Sequence, residues 1–334
     1  MTQTTAQLTH TTAQRTATPR HYLMCPPTYF DVVYAINPWM DPSSPVDTAK
    51  AVAQWEALRE AYEARGHKVD VIEPEPGLPD MVYAANGGIV VGGRALAARF
   101  THPERAAEGP AYDRWFDTPG AGAYRRLGES VEVMEGEGDL LLIGKLLLAG
   151  TGFRTTPAGH AEVAERLELA AQGIELVPLE LVDPRYYHLD TALSVLDDGA
   201  VSGETVVAYH PEAFSPAAQE TLRTLFPGAI LVGADDAAVL GLNVVSDGLH
   251  VFLSDRAHDY ADALKERGFV PVGIDLSEIF KGGGSVKCCT LELRPDTAAP
   301  AVPALTGTAL ATTVLASAVL ADASAANANE ETSR

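Results

Sequence analysis

The chain has 334 residues and 46% apolar content, enough for a large core, and its length admits either two domains or one large one. Its 24 Lys and Arg stand against 45 Asp and Glu, a formal net charge of -21, which argues against a nucleic-acid surface and favours a small polar or cationic partner. Three cysteines, Cys25, Cys288 and Cys289, are odd in number with two adjacent, a poor disulfide framework that suits a reducing, cytoplasmic compartment.

Residues 1–20 are rich in Thr, Gln and Ala without an apolar stretch of signal-peptide length, and are expected to form a disordered leader. A short strand is predicted over 21–24, running into Cys25-Pro-Pro and a turn-rich segment through Met40. Ala51, Val52, Trp55, Leu58 and Ala61 fall at helical spacing within 48–65, and Gly66 follows as a stop. An alternating strand occupies 69–74. Residues 80–98 read as two strands joined at Gly92-Gly93, a dipeptide suited to a tight hairpin.

That order recurs. A strand at 131–134 precedes a hairpin over 139–149 turning at Gly144-Lys145; a helix over 157–171 leads to a strand at 174–179 and a hairpin over 191–201 turning at Asp198-Gly199. A helix over 216–225 leads to a strand at 229–232 and a hairpin over 243–253 turning at Asp247-Gly248. The last helix, 260–267, leads to a strand at 269–272, the run Gly282-Gly-Gly, and Cys288 at the mouth of a further strand. Helix, edge strand and hairpin thus repeat about five times, which predicts a pseudo-symmetric five-bladed α/β propeller in a single domain over 21–295. An ordinary open α/β sheet is the alternative, but it wants single strands between helices rather than hairpins. Residues 296–334 are Ala-rich and read as a loose helix or disordered tail. Their Ala and Thr are weak drivers of membrane insertion, and no Lys or Arg lies between Arg294 and Arg334 to anchor a span.

If the units are equivalent, the residues entering each hairpin meet near the ring axis, and they are polar: Asp80 with Asn86, Glu135 with Asp139, His188 with Asp190, Asn243, and Cys288. A cysteine, a histidine and carboxylates at one axis supply a nucleophile, a general acid/base and a holder for a cation. Each has a plain structural reading as well: a buried inert thiol, a strand salt bridge, turn chemistry in Glu135-Gly-Glu-Gly-Asp139. Metal binding is disfavoured because the ligand-like residues are scattered singly, without the short pair spacings of zinc sites, and no cofactor is called for. A planar guanidinium is a natural guest, since carboxylates bind it bidentately.

The segments Met24-Cys-Pro-Pro27, Ile36-Asn-Pro-Trp-Met40, Pro79-Asp-Met-Val-Tyr-Ala-Ala-Asn86, Phe100-Thr-His-Pro-Glu-Arg105, Glu135-Gly-Glu-Gly-Asp139, Gly152-Phe-Arg154, Tyr187-His-Leu-Asp190 and Gly282-Gly-Gly-Ser-Val-Lys-Cys288 resemble the guanidino-group modifying enzymes, the pentein superfamily. The likeness runs in order from about residue 21 to 294. It implies a five-bladed α/β propeller, with Cys288 as nucleophile, His188 as general acid/base, and Glu135 and Asp190 gripping the guanidinium. It further implies Arg105 and Arg154 on the carboxylate of an amino-acid substrate, with Asn37, Asp80 and Asn86 among the substrate contacts. Where deiminases and dimethylargininase carry an aspartate, this chain has Asn86, and with the Asn37 segment that feature resembles the arginine dihydrolases. The resemblance therefore implies hydrolysis of arginine to ornithine, ammonia and CO2 first. Dimethylarginine hydrolysis to citrulline is the alternative, followed by amidino transfer and by a non-enzymatic propeller binding protein. The expected partner is a small cationic guanidino substrate, with no nucleic acid and no membrane; homo-oligomerisation is left open.

Overall fold

Short apolar strands punctuated by glycine turns set the geometry of this chain. The computed structural model describes residues 15–118 and 124–295. In chain order, β1 (His21–Met24) leads to helix α1 (Thr48–Glu63) and β2 (Lys68–Val71). The hairpin β3 (Gly88–Val91) and β4 (Arg94–Ala97) leads through α2 (Glu108–Phe116) to β5 (Arg125–Glu129). The hairpin β6 (Leu140–Ile143) and β7 (Leu146–Thr151) leads through α3 (Pro157–Arg166) to β8 (Glu175–Glu180). After the single-turn α4 (Leu189–Ala192), β9 (Leu193–Asp198) and β10 (Thr205–Tyr209) lead through α5 (Pro216–Leu225) to β11 (Ile230–Leu231). A second single turn, α6 (Ala234–Ala237), precedes β12 (Val245–Ser246) and β13 (His250–Ser254), then α7 (His258–Glu266), β14 (Val270–Ile274) and β15 (Leu291–Glu292).

These strands form five three-stranded sheets, in the orders β15-β1-β2, β3-β4-β5, β6-β7-β8, β11-β10-β9 and β12-β13-β14. In each, an antiparallel pair is extended by a parallel outer strand. Parallel neighbours need a crossover of a dozen or more residues, which the intervening helix supplies. This is the α/β propeller expected from the repeat. The phase differs: the strand after each helix pairs with the hairpin before it, not the one after. The last strand, β15, pairs with the first, β1, so the two ends of the described chain share one blade.

Local chemistry accounts for the elements. Gly92 and Gly93 both take positive φ (55° and 71°), as a two-residue primed turn requires. Asp47, Thr156 and Ser215 cap α1, α3 and α5, the last two followed by Pro at the first helical position. α1 buries Trp55, Leu58 and Tyr62, each worth roughly 1.5–3 kcal/mol of transfer free energy. Inner strands such as β3 are buried along their whole length, which fixes their ends at the axis.

Four expectations need correction. The outer strand of the second blade is β5, not residues 131–134, which contribute a single bridge from Met134 to Arg99. Residues 80–87, the start of the stretch read as strand, instead lie in two 3-10 turns, Pro79–Val82 and Ala84–Gly87. The third hairpin closes through a loop over 199–204, so its second strand begins at Thr205. The leader ends earlier than expected. Residues 15–20 pack on the body, with the Arg15 guanidinium 2.9 Å from Asp197 and 4.0 Å over the Phe269 ring, and Thr18 N–H donating to the Asp247 carbonyl. The rest of the leader, 1–14, and the Ala-rich segment 296–334 lie outside the described residues. No helix among the described residues is long and apolar enough to cross a membrane.

Candidate active site

The segments entering the inner strands carry the polar residues, so the fold brings them together. Asp80 and Asn86 sit in the turns before β3, Glu135 and Asp139 before β6, His188 and Asp190 at α4 before β9, Asn243 before β12, and Cys288 before β15. Cys288 lies in a turn rather than a strand. All are buried, Cys288 at 2% exposure and His188 at 1%.

The Cys288 thiol is 3.4 Å from Asp190 Oδ2 and accepts from Asn243 Nδ2 at 3.2 Å. Burial, and then the Asp190 charge, push this thiol well above its ordinary pKa, so it rests protonated. Burial also raises Asp190, to about 6, with His188 and Lys287 opposing. Cys289 packs among apolar neighbours and, like Cys25, has its thiol pushed up by burial.

Glu135 Oε2 faces His188 Nε2 at 2.8 Å and accepts from Arg154 Nη1 at 2.9 Å, while its Oε1 accepts from the Thr101 N–H. Burial opposes its charge, but Arg154 and then His188 outweigh it and hold the carboxyl far below the usual range. An ionised Glu135 can only accept, so Nε2 carries a proton, and in the neutral tautomer of the ring the lone pair is on Nδ1. His188 and Asp190 do not pair with each other. Asp139 is spent on structure, accepting from the Leu189 and Thr155 N–H groups.

Arg105 and Arg154 are already paired within the protein. Arg105 is bidentate to Glu108, donates to Asn86 Oδ1 at 3.0 Å and to the Asp80 carbonyl, and lies 3.8 Å from the Asp80 carboxylate. Glu108 was not singled out from the sequence, although its i,i+3 spacing from Arg105 carries the signal. Arg154 also donates to the Ile36 carbonyl and stacks 4.6 Å over Tyr187. Residues 25–47 close over the centre. Asn37 Nδ2 donates to the Gly282 carbonyl at 3.0 Å, Tyr34 donates to Asp80 Oδ2 at 2.9 Å, and Trp39 Nε1 donates to the Arg185 carbonyl at 2.9 Å.

Four buried atoms in this cluster have no partner: Asp80 Oδ1, Asn86 Nδ2, His188 Nδ1 and Asp190 Oδ1. Buried polar groups are normally satisfied, so two unpaired carboxylate oxygens, an amide donor and an imidazole nitrogen leave this cluster with hydrogen-bonding capacity suited to a polar, cationic guest. The glycines make room for them: a Cβ at Gly138 would fall 2.4 Å from Asn86 Nδ2 and 3.2 Å from the His188 ring. No group of three His, Cys, Asp or Glu among the described residues is arranged to hold a metal ion.

No protein-family model matches the sequence. The chain is 56% identical over 283 residues to the N(G),N(G)-dimethylarginine dimethylaminohydrolase of Mycobacterium tuberculosis, covering 85% of this chain and 89% of that protein. It is 34% identical over 276 residues to the bifunctional arginine dihydrolase/ornithine cyclodeaminase ArgZ of Synechocystis, covering 81% of this chain but only 37% of that longer protein. The crystal structure of the N-terminal domain of ArgZ, a cysteine-to-serine variant bound to substrate, aligns with a TM-score of 0.74 at 32% identity, over 83% of this chain and 99% of that one. A dimethylarginine dimethylaminohydrolase adduct aligns at 0.62 with 18% identity over 83% of this chain and all of that one, a likeness of fold alone. The chain belongs to the pentein-type, guanidino-group modifying enzymes and is an amidine hydrolase acting on guanidino carbon–nitrogen bonds of the arginine type.

Proposed function

We propose that this enzyme hydrolyses dimethylarginine to citrulline and dimethylamine through a covalent intermediate on Cys288. The observation that carries the substrate choice is the 56% identity, over most of both chains, to a dimethylarginine dimethylaminohydrolase. This reverses the order expected from the sequence, which put arginine dihydrolysis first.

The guanidinium enters against Asp190, whose unpaired Oδ1 meets its N–H groups, and against Asp80. The arriving cation offsets the burial and carboxylate charge that keep Cys288 protonated, and the thiol proton passes to His188 Nδ1. The thiolate attacks the guanidinium carbon, and the C–S bond forms as the electron pair moves to nitrogen. His188 returns the proton to the dimethylated nitrogen, that C–N bond breaks, dimethylamine leaves, and a thiouronium remains on Cys288. Water then loses a proton to the same Nδ1 and attacks the carbon, and collapse of the adduct breaks the C–S bond to give citrulline and the free thiol. Glu135 keeps the imidazole oriented and stabilises its charged form.

Asn86 fits this reading. Arg105 must donate to its Oδ1, so Nδ2, a donor, faces the centre. A dimethylated nitrogen has no N–H to offer and needs no acceptor there. The same donor could hold a ureido oxygen for a second hydrolysis, and this, with the arginine dihydrolase relatives, favours conversion of arginine to ornithine, two ammonia and CO2 as the second reading.

Mass spectrometry of products after separate incubation with asymmetric dimethylarginine and arginine tests the choice. Citrulline with dimethylamine from the first, and no ornithine from the second, is the expected result. Ornithine from arginine with inert dimethylarginine sinks it in favour of the second reading.

A further inference from the structure

Asn243 reaches the nucleophile from another blade. It lies between α6 and β12 in the fifth blade, fully buried, while Cys288 precedes β15 in the first and Asp190 belongs to the segment that opens the fourth. Its amide touches both of the others. Oδ1 accepts from the Cys288 N–H at 3.0 Å, and Nδ2 donates to Cys288 Sγ at 3.2 Å and to the Asp190 carbonyl at 3.1 Å. Its own carbonyl accepts from the Lys287 N–H at 3.2 Å. The orientation of the amide is determined by these partners. A backbone N–H can only donate and a carbonyl can only accept, so Oδ1 must face Cys288 N and Nδ2 must face the sulfur and the Asp190 carbonyl.

The turn that delivers it is built at some cost. Leu240, buried and non-glycine, takes φ 53°, a conformation that branched side chains seldom adopt. Asn243 N–H closes the turn on the Leu240 carbonyl, and a Cβ at Gly241 would fall 2.7 Å from both Ala257 Cβ and the Asp236 carbonyl oxygen. The amide is thereby held in one place, against a sulfur that also lies 3.4 Å from the Asp190 carboxylate.

We infer that Asn243 is the residue that holds the Cys288 thiolate, its Nδ2–H supplying a neutral, fixed hydrogen bond to the sulfur when the proton leaves, while its Oδ1 locks the backbone that carries the nucleophile. This rests on Cys288 being the reacting thiol. The two contacts on the sulfur then have opposite roles. Asp190 favours the thiol, since an acceptor beside sulfur stabilises S–H, and Asn243 favours the thiolate, since a donor stabilises S⁻. An aspartate at 243 would keep the acceptor for the Cys288 N–H but remove the donor and add a charge.

The test is the rate of thiol alkylation by iodoacetamide as a function of pH, on the intact enzyme and on Asn243→Ala and Asn243→Asp, with peptide mass analysis of the adduct and thermal melting of each variant. With the adduct on Cys288, the alkylation midpoint is expected to rise by about one unit in Asn243→Ala, tenfold in thiolate fraction near neutrality, and further in Asn243→Asp. kcat for dimethylarginine, or for arginine if that is the substrate, falls in the same order with KM little changed. A merely structural Asn243 would act the other way, loosening the centre and lowering the midpoint toward that of a free thiol. An unchanged or lowered midpoint on Cys288 in either folded variant overturns the assignment. An adduct on Cys25 or Cys289 in the unsubstituted enzyme overturns the choice of nucleophile, and this inference with it.

Discussion

Glu135 and Glu137 are two residues apart, equally buried and both held ionised against burial, yet they belong to two different regions of the axis. Glu137 is enclosed by Lys287 Nζ at 2.6 Å, by Arg294, and by the Glu292 N–H at 2.9 Å. None of these groups has an unpartnered buried atom among the described residues. Lys287 and Arg294 also line a cavity of about 140 Å³ with residues of β6, β9 and β12, and none of Glu135, His188, Asp190 or Cys288 reaches it. Around Glu135, by contrast, four polar atoms are left without partners. Buried charge alone does not mark function: a saturated ion network ties elements together, whereas an unsaturated one has capacity left for a ligand.

The comparison can be broken at either end. The largest effect is expected from Cys288→Ser, on the order of 10⁴-fold or more in kcat with thermal melting nearly unchanged; Cys289→Ser, one residue on, should retain most of its turnover. Glu135→Gln comes next, with kcat falling roughly 10²–10⁴-fold as His188 loses its orienting partner. Steady-state kinetics checks both. Glu137→Gln should do the reverse, leaving Lys287 and Arg294 without their charge partner at a cost of about 3–5 kcal/mol, read as a drop of roughly 10 °C in melting temperature, while kcat changes little in the folded fraction. A Glu137 variant that melts normally but fails to turn over would erase the distinction between the regions.

The smallest effect is a pH dependence. In its proposed role Asp190 would bind a guanidinium only when ionised, and burial raises its pKa to about 6, so KM is expected to rise about tenfold per unit as pH falls below 6. The stability sign is opposite. The folded state holds this proton more tightly than the unfolded chain does, so this group's contribution to stability grows as pH falls from above 6 toward 4. A KM that stays flat down to pH 5 would remove Asp190 from the role of cation holder.

Much of this architecture was legible because it is local. The turn dipeptides Gly92-Gly93 and Gly144-Lys145, the Pro-started helices at 157 and 216, and a polar residue before each inner strand are all short-range signals. Helix α2 escaped because Gly109-Pro110 reads as a break, although proline in a first turn sacrifices no intrahelical bond. Residues 131–134 alternate more cleanly than Arg125–Glu129, but strand identity was decided by pairing with β4, through an irregular register between Ala95 and Ala97. Asn243 was visible at the axis, but not its grip on Cys288, because nothing in local spacing connects residues 45 positions apart. Nor could spacing reveal that Arg154 is engaged by Glu135, 19 positions away.

The pairing of β15 with β1 has a consequence for biosynthesis. The strand that completes the first blade is the last to be made of the fifteen among the described residues, and the proposed nucleophile lies just ahead of it. A nascent chain therefore carries Glu135, His188 and Asp190 long before Cys288. The centre needs segments distant in sequence to meet, whereas helices form locally, so recovery of turnover during refolding is expected to trail the recovery of helix content.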